Sequence, residues 1–435
     1  MRGIDRLSIG DLMTIWSEAP NAPMNVGLAA VLSGERLLDE RGRLRFEQVR
    51  DAVAARLPQV LRRRIRFTRP GQGRPLWTDD TTFQIERHVT VDRVPAGWTF
   101  PSWAATLAAR PLDRRHPLWR ITLVTGLPDR QVGLVFVAHH AMADGIEAAR
   151  IAVSLLDETA TAKDEAAPTP EPTGWELMCD AAARRVQAWR RGPRTGRHRL
   201  RQELRDGLRA IRVRAPALGL PVPAGTDRRM EVCSLPLAQV REIAHAHGAT
   251  INDVVLAGVA SGLRALLDGA GPPTVRVSIP MAAPPGQHNT ANTPPIVIDL
   301  PLSEPDNEAI RTIANQTRAA KAGRERRRPG MTSSELVPRS LVRLATRWVR
   351  RHAAERINLY VTNVPGPTEP LTLAGAELQA AYPIPPLLAG VPIAVGALSY
   401  HGTLSVTVNA DPALDLPRFA EGMRGAISRY ELAST

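Results

Sequence analysis

The amino-acid sequence predicts an α/β protein of two lobes, and three observations carry that reading. Strand-like and helix-like segments alternate on both sides of residues 163–174 (KDEAAPTPEPTG), a Pro-rich stretch with the composition of an exposed linker. A continuous apolar run near residue 135 ends in two histidines and then turns helical, the strand–loop–helix arrangement in which α/β folds display reactive groups. The length of 435 residues, with 43% hydrophobic and 23% charged positions, suits a folded protein of two or three domains, each burying its own core. The expected organisation is a first lobe over 1–162, the linker and a basic connector over 163–225, and a second lobe over 226–435.

Each element has its own warrant. Before the linker, VGLAAVLSG (26–34), ITLVTGL (121–127) and VGLVFVAHH (132–140) read as strands, and LRFEQVRDAVAARL (44–57) as a helix. After it, Trp175, Met178, Ala182, Val186 and Trp189 recur every three or four residues, and Leu200, Leu204, Leu208 and Ile211 repeat the pattern beyond Gly192-Pro193. Two amphipathic helices with Arg-covered outer faces follow. Their stripes suit packing on a neighbouring lobe or binding to a membrane surface equally well. In the second half, MEVCSLPL reads as a strand, INDVVLAGVASGLRALLDG as a helix stopped at Gly269, and IAVGALSY-HG-TLSVTVNA as a hairpin turning at His401-Gly402. The closing helix sets Phe419, Met423 and Ile427 on one face.

The net charge of +13 is concentrated. Residues 184–214 carry 12 Arg against two acids, and residues 324–356 carry 10 Arg against three, which leaves the rest of the chain at −4. Basic patches of this kind bind nucleic acid only with further equipment. Aromatic residues make up 4%, the two Arg runs hold only Trp189 and Trp348 and so lack the interleaved series that a base-stacking surface requires, and nucleic acid is not expected as a partner. The two cysteines, Cys179 and Cys233, give neither a disulfide framework nor zinc spacing, so a reducing, cytoplasmic compartment is expected. Asp5, Arg6, Asp11 and Glu18 interrupt any signal-peptide core, and Pro383, Pro385, Pro386 and Pro392 break the uncharged stretch 378–410 into strands and turns.

The chemistry lies in residues 132–157, VGLVFVAHHAMADGIEAARIAVSLLD. An HHxxxDG match arises by chance on the order of once in a thousand chains of this composition. An imidazole with a pKa near 6.5 can take a proton from a hydroxyl, amine or thiol at neutral pH. An activated acyl donor such as a thioester needs no enzyme nucleophile, and no nucleophile-elbow context occurs here. Asp144 reads either as the N-cap of the following helix, with Glu147 completing a capping box, or as an ion-pair partner that shapes the loop. Gly145 reads as a point of close backbone approach or a sharp bend. Adjacent histidines without a nearby third ligand make poor metal geometry, and no metal or cofactor is expected.

At these residues the sequence resembles the bacterial wax ester synthase/acyl-CoA:diacylglycerol acyltransferase family. The matching segments are LSIGDLMTIWSEAPNAPMNVG, FQIERHV (83–89), PLDRRHPLWRITLVTGL (111–127), HHAMADG (139–145), INDVVLA (251–257), TNVPGP (362–367) and ALSYHGTLSVTVNADP, which run nearly end to end. HHxxxDG alone is shared with chloramphenicol acetyltransferases and peptide-synthetase condensation domains, so the surrounding segments select the family. The resemblance implies two lobes like those of CoA-dependent acyltransferases, each a mixed sheet flanked by helices, with a tunnel at their interface and the His loop at its centre. It implies His140 as general base, with His139 and Asp144 holding the loop. It assigns Asn252 and Asp253 to an ND motif in which Asn252 supports the site or donates to the oxyanion, with N-capping as its structural alternative. It assigns Pro117, Leu118 and Trp119 to a PLW motif lining the acyl pocket, where a core role is the alternative. Ala291-Asn292 departs from the Gly-Asn that family members often carry.

The expected activity is therefore acyl-CoA-dependent transfer of a fatty acyl group to diacylglycerol or a long-chain alcohol, giving triacylglycerol or wax ester. The Arg helices would dock on an anionic membrane or lipid droplet. Two alternatives remain open: an enzyme using an acyl carrier protein thioester and a specialised-metabolite acceptor, and a non-catalytic lipid- or nucleic-acid-binding relative.

Overall fold

Two six-stranded mixed sheets, each covered by helices, form the framework. The computed structural model describes residues 4–156, 170–190, 213–281, 295–325, 339–353 and 355–432. The second connector helix expected at 200–211 and the Ala291-Asn292 pair lie outside the described residues.

In chain order the strands are β1 (Asn25–Leu32), β2 (Arg63–Arg66), β3 (Leu76–Asp79), β4 (Val89–Arg93), β5 (Trp119–Thr125), β6 (Val132–His139), β7 (Arg229–Pro236), β8 (Thr274–Ile279), β9 (Ile296–Pro301), β10 (Leu359–Val364), β11 (Thr372–Leu373), β12 (Ala376–Ile384), β13 (Ile393–Tyr400) and β14 (Thr403–Ala410). The first sheet runs β11-β12-β1-β6-β5-β4 and the second β7-β14-β13-β10-β8-β9, while β2 and β3 pair separately. Within the first sheet β1 is antiparallel to both β6 and β12, and β4 is parallel to β5.

This order corrects the expected partition. The first lobe does not close with residues 1–162, because β11 and β12 cross over from the C-terminal part of the chain to extend its sheet. The physical reason is edge protection. Without β12, β1 would present a row of unpaired backbone groups, and Leu378, Ala381 and Ile384 would lose the apolar face they bury against. The crossover also ties the lobes together: Thr407 Oγ1 of β14 donates to the Pro383 carbonyl at 2.6 Å, and Asn409 Nδ2 donates to the Pro385 carbonyl at 2.9 Å.

β6 is buried along its whole length, as its uninterrupted apolar run requires. At Gly133 an added Cβ would sit 2.3 Å from the Phe100 ring, so the absent side chain admits helix α3 (Phe100–Ala108), which follows α1 (Ile9–Ser17) and α2 (Phe46–Ala55), onto the sheet. The hairpin expected at His401-Gly402 is present. Tyr400 pairs with Thr403, and the two turn residues take φ of 43° and 78°, as a two-residue hairpin turn demands. The helix Ile251–Leu266 is buried along Val254, Val255, Val259 and Leu263 and ends in Asp268 and Gly269 with φ of 51° and 75°. Phe419, Met423 and Ile427 of the closing helix Leu416–Leu432 pack into the same core.

The first connector helix, α5 (Gly174–Arg190), resolves the ambiguity of its stripe. Leu177 and Ala181 are the buried residues, and Trp175, Met178, Ala182, Val186 and Trp189 face solvent. Arg6 fixes this orientation: its Nε donates to Asp180 at 2.6 Å and its Nη2 to the Leu177 carbonyl at 2.9 Å. Among the described residues no single helix is long and apolar enough to cross a membrane.

Candidate active site

The site is built at the end of β6. His140 N–H continues the pairing with β1 by donating to the Met24 carbonyl at 2.7 Å. The chain then reverses, because the N–H groups of Met142 and Ala143 both donate to the His139 carbonyl, at 2.8 and 3.2 Å. Helix α4 (Gly145–Leu156) follows. Asp144 starts it by accepting the N–H of Ile146 at 3.0 Å and of Glu147 at 2.9 Å on one carboxylate oxygen, which is N-cap geometry. Glu147 pairs with Arg150 at 3.5 Å.

His139 is 1% exposed and fully engaged. Its Nδ1 accepts the Ala141 N–H at 2.9 Å, so in this arrangement the ring is the neutral tautomer that carries its proton on Nε2. That Nε2–H donates to Glu18 Oε1 at 3.0 Å. Glu18 is further held by the Arg114 guanidinium and by the Met24 N–H at 3.2 Å. Burial alone would raise the Glu18 carboxyl, but the hydrogen bonds from His139 and Arg114 and the Arg114 charge prevail and hold it at about 2. A permanently ionised carboxylate therefore orients His139.

His140 differs in every respect. It is half-buried, its Nδ1 is sealed from solvent, and that atom has no hydrogen bond to any other described residue. Burial pushes its pKa below 6.5, partly opposed by its own backbone and by the carboxylates of Asp144 and Asp11. His140 is thus neutral and uncommitted at pH 7, the state a general base requires. Asp11 comes from α1 (Ile9–Ser17), where it closes a capping box with Ser8.

Gly145 corrects its expected role. It does not adopt positive φ, and an added Cβ would meet only Val364 Cγ2 at 3.5 Å, an ordinary contact. The fold therefore does not require glycine there. The contact does place the start of α4 against the end of β10, so the His loop faces the TNVPGP segment of the other sheet.

The PLW segment splits. Pro117 and Leu118 are buried, and the Leu118 carbonyl accepts the His139 N–H at 2.9 Å while its side chain packs with Leu7, Leu12, Ile15 and Ala141. Trp119 points to the other face and belongs to the core. It stacks on His88 at 4.5 Å and donates from Nε1 to the Leu61 carbonyl at 2.6 Å. The ND segment is likewise corrected. Thr250 caps the helix Ile251–Leu266, and Asp253 closes that capping box while accepting Thr317 Oγ1 at 2.8 Å. Asn252 is not the cap, and no hydrogen bond among the described residues joins this helix to the His loop.

Sequence reasoning missed Glu18, Arg114 and Asp11 as members of the site. Glu18 stands 121 positions from His139, and no local spacing signals that pairing. A cavity of about 840 Å³ between α5 and the β2–β3 ribbon is lined by Trp77, Arg63 and Asp180 among others, and the His loop is not part of its lining.

Comparison with solved structures places the fold. The wax ester synthase/diacylglycerol acyltransferase of Marinobacter aquaeolei VT8 superposes with a TM-score of 0.66 at 23% identity, covering 99% of both chains. The first condensation domain of the calcium-dependent antibiotic synthetase, solved with a substrate analogue, gives a TM-score of 0.58 at 18% identity, covering 98% of this chain and 96% of that one. The architecture is that of the two-lobed acyltransferases. The family model for the wax ester synthase/diacylglycerol acyltransferase catalytic domain matches residues 7–255 and that for the WS/DGAT C-terminal domain residues 295–430, so the chain belongs to this family and is an acyltransferase. A putative diacylglycerol O-acyltransferase of Mycobacterium tuberculosis strain H37Rv is 31% identical over 424 residues, covering 86% of this chain and 80% of that protein.

Proposed function

We propose that the protein transfers a fatty acyl group from acyl-CoA to the hydroxyl of diacylglycerol or a long-chain alcohol, with His140 as general base. The carrying observation is the contrast within the His pair: His139 is locked at both ring nitrogens between Glu18 and the Ala141 N–H, while no other described residue hydrogen-bonds His140 Nδ1 and burial lowers the His140 pKa.

In this reading His140 takes the acceptor's hydroxyl proton as the oxygen attacks the thioester carbonyl. The C–O bond forms, the carbonyl becomes a tetrahedral oxyanion, and its collapse breaks the C–S bond. The imidazolium returns the proton to the departing CoA thiolate, so nothing is left unbalanced. His139 and Asp144 keep the loop in place, and Leu118 backs it. No group of three or more His, Cys, Asp or Glu side chains arranged to hold a metal occurs among the described residues, and the reaction as written calls on none. Because the acceptors partition into lipid, peripheral contact with a membrane or lipid droplet on the cytoplasmic side belongs to this reading.

The test is thiol release from palmitoyl-CoA, with and without dioleoylglycerol or hexadecanol, for wild type and His140→Ala. Acceptor-dependent release that falls about 10²-fold or more in the variant supports the reading. Release that is absent, or indifferent to the substitution, refutes it and directs attention to carrier-protein donors.

A further inference from the structure

Large apolar side chains exposed to solvent are not scattered over this molecule. Of the thirteen described residues of this kind, seven lie on α5 and on the helix Arg339–Arg351. On α5 they form a line: Trp175 is 72% exposed and Trp189 74%, with Met178 and Val186 between them, at successive spacings of three, eight and three residues. Arg6 pins the opposite side of this helix to the first lobe, so the line is turned outward by design of the contacts rather than by loose attachment.

The second helix repeats the theme with more charge. Leu341, Leu344 and Val349 are exposed, Leu344 to 65%, and Arg339, Arg343, Arg347, Arg350 and Arg351 accompany them without a single acid. Thr346 is its buried contact, and it packs against α1. Both helices border the same loop. Arg339 Nη2 donates to Thr68 Oγ1, and Gly73 of that loop lies against Arg6 and Ala181 of α5. Phe67 in the loop and Met13 on α1 are exposed as well.

From this we infer that α5 and the helix Arg339–Arg351 form one docking face for an anionic lipid bilayer. Water-exposed indoles belong at the membrane–water boundary, where an amphipathic ring meets both phases. Leucines flanked by Arg on a helix without acids match an interface of acyl chains beneath anionic headgroups. A protein partner would be expected to leave a mixed-charge rim, which this helix lacks. The face also lies beside the site: Arg350 Nη1 donates to the Glu18 carbonyl at 2.6 Å, so the docked helix touches the residue that orients His139.

The inference deepens the lipid-acceptor reading and rests on it for its purpose, but its test does not need turnover. The full chain is sedimented with phosphatidylcholine vesicles with and without about 30% phosphatidylglycerol, at low and high salt. The variants are Trp175→Ser/Trp189→Ser and Leu341→Ser/Leu344→Ser, all at exposed positions, with circular dichroism as a check on folding. The expected result is binding that requires phosphatidylglycerol, weakens with salt, and drops about tenfold in each variant. Equal binding to pure phosphatidylcholine, or variants that bind like wild type, overturns it. So does a wild-type chain that ignores vesicles but forms a dimer or a complex with an acidic acyl carrier protein that the same substitutions dissolve. Vesicle binding without acyl-CoA turnover would sink the catalytic reading alone, and turnover without vesicle binding would sink the docking face alone.

Discussion

Glu18 Oε1 and His139 Nε2 lie 3.0 Å apart, and this contact takes up one of the two ring nitrogens of His139. With its second nitrogen taken by the Ala141 N–H, His139 has no lone pair left for a substrate proton. The same contact makes Glu18 a stability element. Its carboxyl is held at about 2 against 4.5 unfolded, so its contribution is present in full above pH 4.5 and is lost as pH falls toward 2. The span corresponds to about 3 kcal/mol. Glu18→Ala should lower the unfolding free energy at pH 7 by an amount of that order and reduce turnover, whereas Glu18→Gln, which can still accept the His139 proton, should recover most of the turnover. Denaturant unfolding read beside kcat separates the two effects. Equal turnover in both variants would show that the contact does not position the loop.

Asp144 permits a pH test of His140 itself. Its carboxylate lies close enough to stabilise the His140 imidazolium, and its Oδ1 also caps α4. Asp144→Asn keeps a good cap but removes the charge. Without that charge the imidazolium is less favoured, so the His140 pKa falls further below 6.5 and the acid limb of the kcat/KM profile moves to lower pH. Asp144→Ala loses the cap as well and should cost about 1 kcal/mol of stability. A limb that stays in place in Asp144→Asn, or moves up, contradicts the assignment of that limb to His140.

How much of this was legible depends on distance along the chain. The His loop declared itself because strand end, histidine pair, cap and helix start are consecutive, and local chemistry enforces all four. The turn at His401-Gly402 was legible for the same reason. The crossover of β12 into the first sheet was not, because its alternating pattern satisfies either sheet and only the exposed edge of β1 decides between them. Nor was Glu18, whose partner is 121 residues away. The α5 stripe was visible as a period of three and four, but periodicity gives a face and not the direction it points. That took the buried guanidinium of Arg6.

Trp119 distinguishes a pocket wall from a core residue. Its ring lies against His88 and its Nε1 is bonded to the Leu61 carbonyl, with 1% of its surface exposed. Trp119→Ala should therefore destabilise the first lobe by about 3–5 kcal/mol, with lost activity that follows lost folded protein. Trp119→Phe keeps the stack but leaves the Leu61 carbonyl without its donor, at a cost of about 1–3 kcal/mol. If either variant is stable and instead changes the preferred acyl chain length, the residue lines the pocket after all.

Gly145 makes the complementary case, a position that the fold leaves free. An added Cβ would rest 3.5 Å from Val364 Cγ2, and the residue opens α4, where alanine is favoured over glycine. Gly145→Ala should therefore fold with stability unchanged or raised by up to about 1 kcal/mol. Its methyl group would sit between the start of α4 and Val364 of β10, where it would obstruct a substrate that approaches His140 from that side. A fall of about tenfold in kcat/KM with no loss in thermal midpoint is expected, because small displacements of a reacting group are costly. Unchanged kinetics would place the substrate on the far side of the loop, away from Val364, and would move the search for the acyl channel to the flank lined by Leu118 and Ala141.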